Sequence, residues 1–92
     1  MALGSGLSRA NPVEIGVKAF ERKHYATALR AWIPSAKRGN PRAQNNLGYA
    51  YERGLGVSQN YTLAISWYRK AAEQGLAEAQ HNLGMIYFNG YG

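Results

Sequence analysis

The sequence predicts an all-α protein built from repeated helix hairpins, and three observations support that fold class. A residue pattern recurs after 36 positions, apolar residues within each repeat fall at helical spacing, and no segment shows the alternation typical of a β-strand. When the chain is shifted by 36 residues, 39–56 fall on 75–92, and nine of the eighteen positions are identical. Composition alone would not produce that agreement.

The repeat divides the chain after residue 11 into two units and the beginning of a third. The identical pairs are Gly39/Gly75, Ala43/Ala79, Gln44/Gln80, Asn46/Asn82, Leu47/Leu83, Gly48/Gly84, Tyr51/Tyr87, Gly54/Gly90 and Gly56/Gly92. The first unit is related to the second at an offset of 31, because residues 19–22 resemble residues 50–53. The predicted domain covers 12–92, with units at about 12–39, 40–75 and 76–92, the last one incomplete.

Capping residues and glycines set the predicted helix boundaries. Asn11 and Asn40 each precede a proline, so the side chain can cap a helix whose first residue needs no N–H. Asn60 can cap a further helix, and Gly39 and Gly75 stand where helices end in a left-handed conformation. The predicted helices are 12–22, 25–38, 41–53, 60–74 and 77–89.

Small residues and one proline shape the predicted packing of these helices. Pro34 is expected to kink the second helix, because proline removes one backbone hydrogen bond and crowds the preceding turn. Gly48 and Gly84 each follow a core leucine, at a position where a side chain would hold the paired helix away. We therefore expect both glycines to lie against a neighbouring helix.

The composition excludes several classes of site. With no cysteine among 92 residues, the chain has no disulfide framework, thiolate zinc site or cysteine nucleophile. All five acidic residues are glutamates and only two histidines exist, which excludes aspartate calcium loops, Ser-His-Asp triads and multi-histidine metal sites. Glu78 and His81 lie one turn apart, but two ligands are too few for a metal. We expect no enzymatic activity, no cofactor and no metal.

The net charge of +6 is also compatible with a second function, which is binding to an anionic partner. Basic residues can attract nucleic acid or an anionic membrane surface, so a basic surface module is the alternative to a protein-binding module. The basic residues are spread over several predicted helices and often stand near helix ends, where they favourably meet the helix dipole. That distribution favours an acidic protein partner over nucleic acid, and we do not expect nucleic acid to be the partner.

The ends of the chain carry no recognisable targeting signal. Residues 1–11 are expected to be a flexible leader or a cloning remnant, since they lack the apolar core of a secretory signal. No apolar run approaches the length of a transmembrane helix. The expected protein is soluble, and its compartment stays open between cytoplasm and periplasm.

Two stretches of the second unit resemble a known repeat family. Residues 42–57 read RAQNNLGYAYERGLGV and residues 67–75 read WYRKAAEQG, with Asn60, Tyr61 and Ala64 between them. These residues resemble a Sel1-like repeat, a subclass of the tetratricopeptide helix-hairpin solenoids that is common in bacteria. The resemblance implies a right-handed superhelix that serves as a non-enzymatic adaptor and binds a protein or peptide on its concave face.

The first unit is similar to the shorter opening repeat of bacterial members of this family, and the resemblance implies a bacterial origin. It departs from the family pattern at Lys23-His24, where a Gly-Asp pair is usual. Carried over position by position, the resemblance implies concave-face residues on the third and fifth helices. They are Arg42, Asn45, Tyr49, Glu52 and Arg53, followed by Glu78, His81, Met85, Phe88 and Asn89.

The last predicted helix carries apolar groups nearly all round, which would make a poor solvent-facing end for a solenoid. We therefore expect the chain to form a homodimer through this helix, with Ile86, Phe88 and Tyr91 as the self-association residues. A chain that is part of a longer repeat array is the related alternative.

Overall fold

The computed structural model describes residues 11–92, which form five α-helices without a β-strand. The helices are α1 (Pro12–Glu21), α2 (Tyr25–Lys37), α3 (Pro41–Arg53), α4 (Tyr61–Glu73) and α5 (Ala77–Phe88). Each predicted helix is present, with both ends within one residue of the expected position. The predicted leader lies outside the described residues, apart from Asn11.

The asparagine caps are confirmed. The side-chain oxygen of Asn11 accepts a hydrogen bond from the Val13 N–H at 2.8 Å. Asn40 and Asn60 cap α3 and α4 through bonds of 3.0 Å to N–H groups three residues later. Each such cap satisfies an otherwise unpaired N–H at the helix start and is worth about 1 kcal/mol.

The helix ends also follow the sequence, with one exception. Gly39 and Gly75 adopt φ values of 101° and 93°, as expected for residues that follow a helix end. The turn after α1 uses Lys23 at φ 64°, where a glycine would be unstrained. The departure from the family pattern at this turn therefore puts a side chain into the left-handed region.

Successive helices pack on one another in chain order, so the structure is a solenoid of α-hairpins measuring 54 × 26 × 18 Å. The helix α2 continues through Pro34 to Lys37 without interruption. Gln44 lies 4% exposed between hairpins and donates to the Ala36 carbonyl at 3.1 Å, while Gln74 donates to the Gln44 side chain at 2.9 Å. Side-chain amides thus join the first hairpin to the second.

The core has one large ring in each hairpin. Trp32 is buried in the first hairpin and its indole N–H donates to the Val13 carbonyl at 3.0 Å. Tyr68 is fully buried in the second, packed with Ala64 and Ile86. Both rings have a hydrogen-bond partner for their polar atom, so neither leaves a buried polar group unpaired.

The prediction for the two packing glycines is confirmed at one position and wrong at the other. A Cβ at Gly48 would lie 2.6 Å from the Tyr68 ring, so this glycine does admit the paired helix. A Cβ at Gly84 would meet nothing within 4 Å. The reason is that α5 has no second helix against this face in the described part of the chain.

Candidate protein-binding groove

The first helices of the repeats, α1, α3 and α5, line one side of the solenoid and enclose a groove. Its central part has a volume of about 340 Å³. The lining residues come from all three of these helices and from the core tryptophan: Val17, Phe20, Glu21, Trp32, Asn45, Asn46, Tyr49 and Asn82. The groove is therefore built mainly by the first helices of the three units, with one ring contributed by α2.

Aromatic rings form the floor of the groove. The Phe20 ring meets Tyr25 and Tyr49 edge-on, at 5.0 and 6.0 Å between centroids, and lies tilted by 40° against Trp32 at 5.4 Å. Edge-to-face contacts of this kind hold each ring in a defined orientation. Phe20 is itself only partly buried. The floor is therefore a rigid apolar surface on which a side chain of a partner can pack.

An amide pair spans the groove beside this aromatic floor. The Asn82 Nδ2 on α5 donates to the Asn45 Oδ1 on α3 at 3.0 Å. No other side-chain hydrogen bond of either residue is present among the described residues, so the amide nitrogen of Asn45 and the amide oxygen of Asn82 have no side-chain partner there. A donor and an acceptor side by side match one peptide unit of an extended backbone.

Two further depressions continue the groove toward its ends. One shares Val17 and Glu21 with the central part and reaches Arg42 over about 600 Å³. The other shares the amide pair and reaches Glu78 and His81 over about 410 Å³. Because neighbouring depressions share lining residues, the groove is continuous from α1 to α5.

At the end of α3, the Tyr49 ring, the Arg53 guanidinium and the Glu52 carboxylate lie close together. The Arg53 guanidinium lies over the Tyr49 ring at 5.1 Å from its centroid. The Glu52 carboxylate accepts the Tyr68 hydroxyl at 2.7 Å and also approaches Arg53 at 4.0 Å. Two effects raise the pKa of Tyr68 well above its ordinary value: burial, which is the larger, and the neighbouring Glu52 carboxylate. Tyr68 is therefore a neutral donor at any physiological pH.

The structure brings together five of the residues expected on the concave face and separates others from it. Arg42, Asn45, Tyr49, Glu78 and His81 line the groove or its extensions. By contrast, Glu52 is directed at Tyr68, and neither Met85 nor Phe88 is among the residues that line the groove and its two extensions.

The sequence reasoning missed the contribution of α1 and two asparagines. Val17, Phe20 and Glu21 line the groove, but the concave-face positions were carried over only to the third and fifth helices, so none was assigned to α1. Asn46 and Asn82 stood out as identical repeat positions without being assigned to the surface. The spacing of Asn46 between groove residues on the same helix face was the signal that could have found it.

The residues expected to self-associate occupy three different environments. Phe88 is 84% exposed and is the most exposed large apolar side chain described. Tyr91 is half exposed and stacks on Tyr61 at 4.4 Å between centroids. Ile86 is fully buried against Ala64 and Tyr68, so its side chain belongs to the core of the chain itself. A polar residue at Ile86 would therefore disturb the folding of the chain itself. Self-association through Phe88 and Tyr91 stays a prediction.

Charge is distributed unevenly between the two sides of the solenoid. The groove-lining helices α1, α3 and α5 hold three basic and four acidic residues, whereas α2 and α4 hold four basic residues and one acidic residue. Three more basic residues lie in the turns after α1 and α2: Arg22, Lys23 and Arg38. The positive charge of the described chain therefore lies mainly away from the groove.

Residues 11–92 contain neither a cluster of metal ligands nor a helix fit to span a membrane. Within residues 11–92 no three His, Cys, Asp or Glu side chains come together in a way that could hold a metal ion. In the same stretch, no helix combines the length and the apolar character that crossing a membrane requires.

Comparison with solved structures finds the same fold in two bacterial proteins. A Sel1 repeat protein from Oxalobacter formigenes matches with a TM-score of 0.80 and 43% identity, over 89% of this chain and 33% of that one. A protective antigen of uropathogenic Escherichia coli strains that displays an SLR fold matches with a TM-score of 0.81 and 38% identity. That match covers 86% of this chain and 18% of the antigen.

Comparison of sequences leads to the same repeat. The ERAD-associated E3 ubiquitin-protein ligase component HRD3 of Candida glabrata is 39% identical over 49 residues, which are 53% of this chain and 6% of that protein. The chain thus spans a small part of this relative and at most about a third of either solved neighbour. Since one of these three is from a yeast, the predicted bacterial origin stays a prediction.

The sequence model of the Sel1 repeat matches residues 41–76 and 77–92, which together make up more than half of the chain. Sel1 repeats generally mediate protein–protein interaction and form scaffolds without enzymatic activity of their own. The expected resemblance is confirmed by sequence and by fold, and the chain belongs to the Sel1 repeat family.

Proposed function

We propose that this chain is a protein-interaction module that holds an extended peptide segment of a partner in the groove of α1, α3 and α5. The observation that carries the proposal is the Asn45–Asn82 pair, because it presents a donor and an acceptor beside an aromatic floor. A peptide backbone supplies the complementary acceptor and donor at every residue. The groove thus has the chemistry to bind main chain without requiring one particular sequence.

Side-chain selectivity comes from the floor beside the amide pair. An apolar residue of the bound segment packs against the surface that Phe20 and Tyr49 form together, since these two rings are already in contact with each other. Rigid aromatic rings lose little conformational entropy on binding, which makes them efficient contact residues. Tyr49 serves as the central contact of the groove.

The distribution of charge argues for a partner that is not acidic at this site. Glu21 lines the central groove, Glu78 lines one extension and Glu14 the other, where Lys18 and Arg42 are the two basic lining residues. A basic residue of the segment beside Glu21 gains a favourable interaction, and an acidic one is repelled. We therefore replace the acidic partner expected from net charge with a neutral or moderately basic segment.

A random library of 12-residue peptides, displayed and selected on the intact chain, tests this function. The enriched peptides should share one apolar residue and lack acidic residues near it. Binding measured by fluorescence anisotropy should weaken at least about tenfold in Asn82→Ala, since the peptide unit loses a hydrogen bond in a desolvated site. Arg30→Ala on the opposite side is the matched control and should bind as the wild type does. Peptides that bind Asn82→Ala equally well would refute the groove as the site.

A basic-surface function is the second candidate, and one observation favours it. Basic residues on α2, on α4 and in the adjoining turns outnumber acidic ones by seven to one. A pull-down at low and high salt, with and without nuclease, separates the two functions, because binding to nucleic acid is strongly salt-dependent. A captured partner that survives nuclease and moderate salt supports the groove. A signal lost under both treatments supports nucleic acid instead.

A further inference from the structure

The positive charge of the chain is concentrated in one stretch of its sequence. Residues 22–51 contain six basic residues and no acidic residue, while the rest of the chain holds five of each, so this stretch carries the whole net charge of +6. One of the six, Arg42, lines an extension of the groove. The other five lie in α2 or beside its ends, and we call them the basic edge: Arg22, Lys23, Arg30, Lys37 and Arg38.

The basic edge faces solvent and is not neutralised by the rest of the fold. All five of its side chains are exposed. Within residues 11–92 the single ion pair joins Arg53 to Glu52 on α3, so no member of the basic edge has a carboxylate partner there. The helix α2 has 13 residues and is about 20 Å long. The basic edge is therefore an unpaired row of cations along a whole helix.

The remaining exposed residues of α2 are small. They are Ala26, Thr27 and Pro34, which project little beyond the helix backbone. The long basic side chains therefore stand out from α2 and can meet a flat surface together. None of the exposed residues of α2 lines the groove or its two extensions. The basic edge is thus a second surface, which can be occupied while the groove holds a peptide.

One member of the basic edge is present at a cost to stability. Lys23 adopts φ 64°, a conformation that glycine adopts without strain. Its ammonium group makes neither a hydrogen bond nor an ion pair within residues 11–92, so no contact of this group in the fold offsets the strain. A strained residue without a structural reason indicates a role outside the fold. The charge of Lys23 is the property that an external partner can use.

The kinds of residue exposed on α2 favour one anionic partner over two others. Single-stranded nucleic acid binds in grooves with stacking aromatic rings, and α2 exposes no aromatic ring. A protein partner needs an apolar interface core, and α2 exposes no large apolar side chain. The surface of an anionic lipid bilayer needs neither feature, because it is planar and attracts basic residues through charge alone.

We propose that the basic edge docks the chain on an anionic lipid bilayer, with α2 lying along the headgroup surface. The headgroup phosphates accept charge-assisted hydrogen bonds from the lysine and arginine side chains. Because no large apolar side chain of α2 enters the bilayer, binding is reversible and rises with the share of anionic lipid. Docking through α2 leaves the groove of α1, α3 and α5 open.

Sedimentation with sucrose-loaded vesicles tests this docking on the intact chain. The chain should sediment with phosphatidylcholine vesicles that contain about 30% phosphatidylglycerol, and stay in solution with pure phosphatidylcholine, because the anionic lipid supplies the attraction. Raising the salt concentration from about 0.1 M to about 1 M shortens the Debye length from about 10 Å to about 3 Å and should release the chain.

Two triple variants of equal net charge separate a defined surface from general attraction. The edge variant carries Lys23→Gln, Arg30→Gln and Lys37→Gln, and the groove-side variant carries Lys18→Gln, Arg42→Gln and Arg53→Gln. Each cation near an anionic surface strengthens binding about fivefold, so the edge variant should bind about a hundredfold more weakly. The groove-side variant should lose less than about fivefold, since its charges lie further from the bilayer.

Two single variants give results that unfolding cannot imitate. Lys23→Gly should bind the anionic vesicles about fivefold more weakly although it relieves the strained turn and stabilises the fold. Asn82→Ala should bind the vesicles as the wild type does, because its amide lies in the groove. The vesicle measurement therefore stands or fails independently of peptide binding in the groove.

Three outcomes would overturn the proposal. The first is an equal loss of vesicle binding in the two triple variants, which would assign the binding to net charge alone. The second is equal sedimentation with anionic and with neutral vesicles. The third is a short DNA duplex that removes the chain from anionic vesicles at an equal concentration of phosphate, because the preferred partner is then nucleic acid.

Discussion

The ring of Tyr68 lies directly against Gly48, so close that a Cβ added at the glycine would be 2.6 Å from the ring Cδ1. This contact sets the distance between α3 and α4. It also places the Tyr68 hydroxyl within 2.7 Å of the Glu52 carboxylate, which holds the end of α3. The geometry of the concave groove thus depends on a residue behind it.

Alanine at two repeat-related glycines should have opposite effects on stability. Gly48→Ala forces the Tyr68 ring to move and should lower the free energy of unfolding by about 1–3 kcal/mol. Gly84→Ala meets open space in a helix and should raise it by about 0.5–1 kcal/mol, since alanine is the better helix former. Urea denaturation followed by circular dichroism measures both. A similar change at both sites would contradict the different packing of the two glycines.

The hydroxyl of Tyr68 should contribute to stability in a pH-dependent way. Tyr68→Phe removes a hydrogen bond to a carboxylate and should cost about 1–2 kcal/mol at pH 7. Because the pKa of Tyr68 is raised in the folded state, the unfolded chain releases this proton first. The contribution of Tyr68 is therefore complete below about pH 10, the ordinary tyrosine pKa, and declines above it.

Urea denaturation between pH 7 and pH 11 tests that dependence. The wild type should lose stability more steeply above pH 10 than Tyr68→Phe does. Tyr51→Phe is the control, because the Tyr51 hydroxyl makes no side-chain hydrogen bond within residues 11–92, and it should follow the wild-type curve. Identical slopes for all three proteins would show that the Tyr68 proton is not held by the fold.

The strained turn after α1 offers a stabilising substitution. Lys23→Gly should raise the free energy of unfolding by about 0.5–1 kcal/mol, because glycine adopts φ 64° without steric cost. Lys37→Gly, in the last turn of α2, is the matched control and should lower stability by up to about 1 kcal/mol. Differential scanning calorimetry compares the two Tm shifts. A lower Tm for Lys23→Gly would mean that the lysine side chain contributes more than its backbone costs.

The cap of α3 should matter more than an exposed asparagine elsewhere. Asn40→Ala removes the side-chain bond to the Ala43 N–H and should cost about 1 kcal/mol. Asn89→Ala, at the exposed end of α5, should change stability by less than about 0.5 kcal/mol. Equal midpoints in urea for these two variants would contradict the assigned role of Asn40.

Local signals predicted the five helices well, because asparagine caps and terminal glycines act through the backbone of neighbouring residues. The capping role of Asn60 and the left-handed conformation of Gly75 both followed from spacing alone. The groove was predicted in part. Asn45 and Tyr49, which the family resemblance placed on one helix face, do line the groove together.

Contacts between helices were less accessible to sequence reasoning. Phe20 went unassigned because the first unit has a shorter connection, which breaks the register of the repeat. Ile86 is buried and Gly84 faces open space, although both residues lie on α5. The difference arises because α4 packs against only one side of α5. An apolar helix in a sequence does not reveal which of its faces a neighbour covers.

Chemical-shift mapping of a library-selected peptide on the isotope-labelled chain tests the groove most directly. Binding in the groove predicts that the largest shifts fall on the side-chain amides of Asn45 and Asn82 and on residues around Tyr49 and Phe20. Residues of α2 that face away from the groove, such as Arg30, should be unaffected. Shifts concentrated on the basic residues of α2 and α4, with the Asn45 and Asn82 amides unchanged, would contradict it.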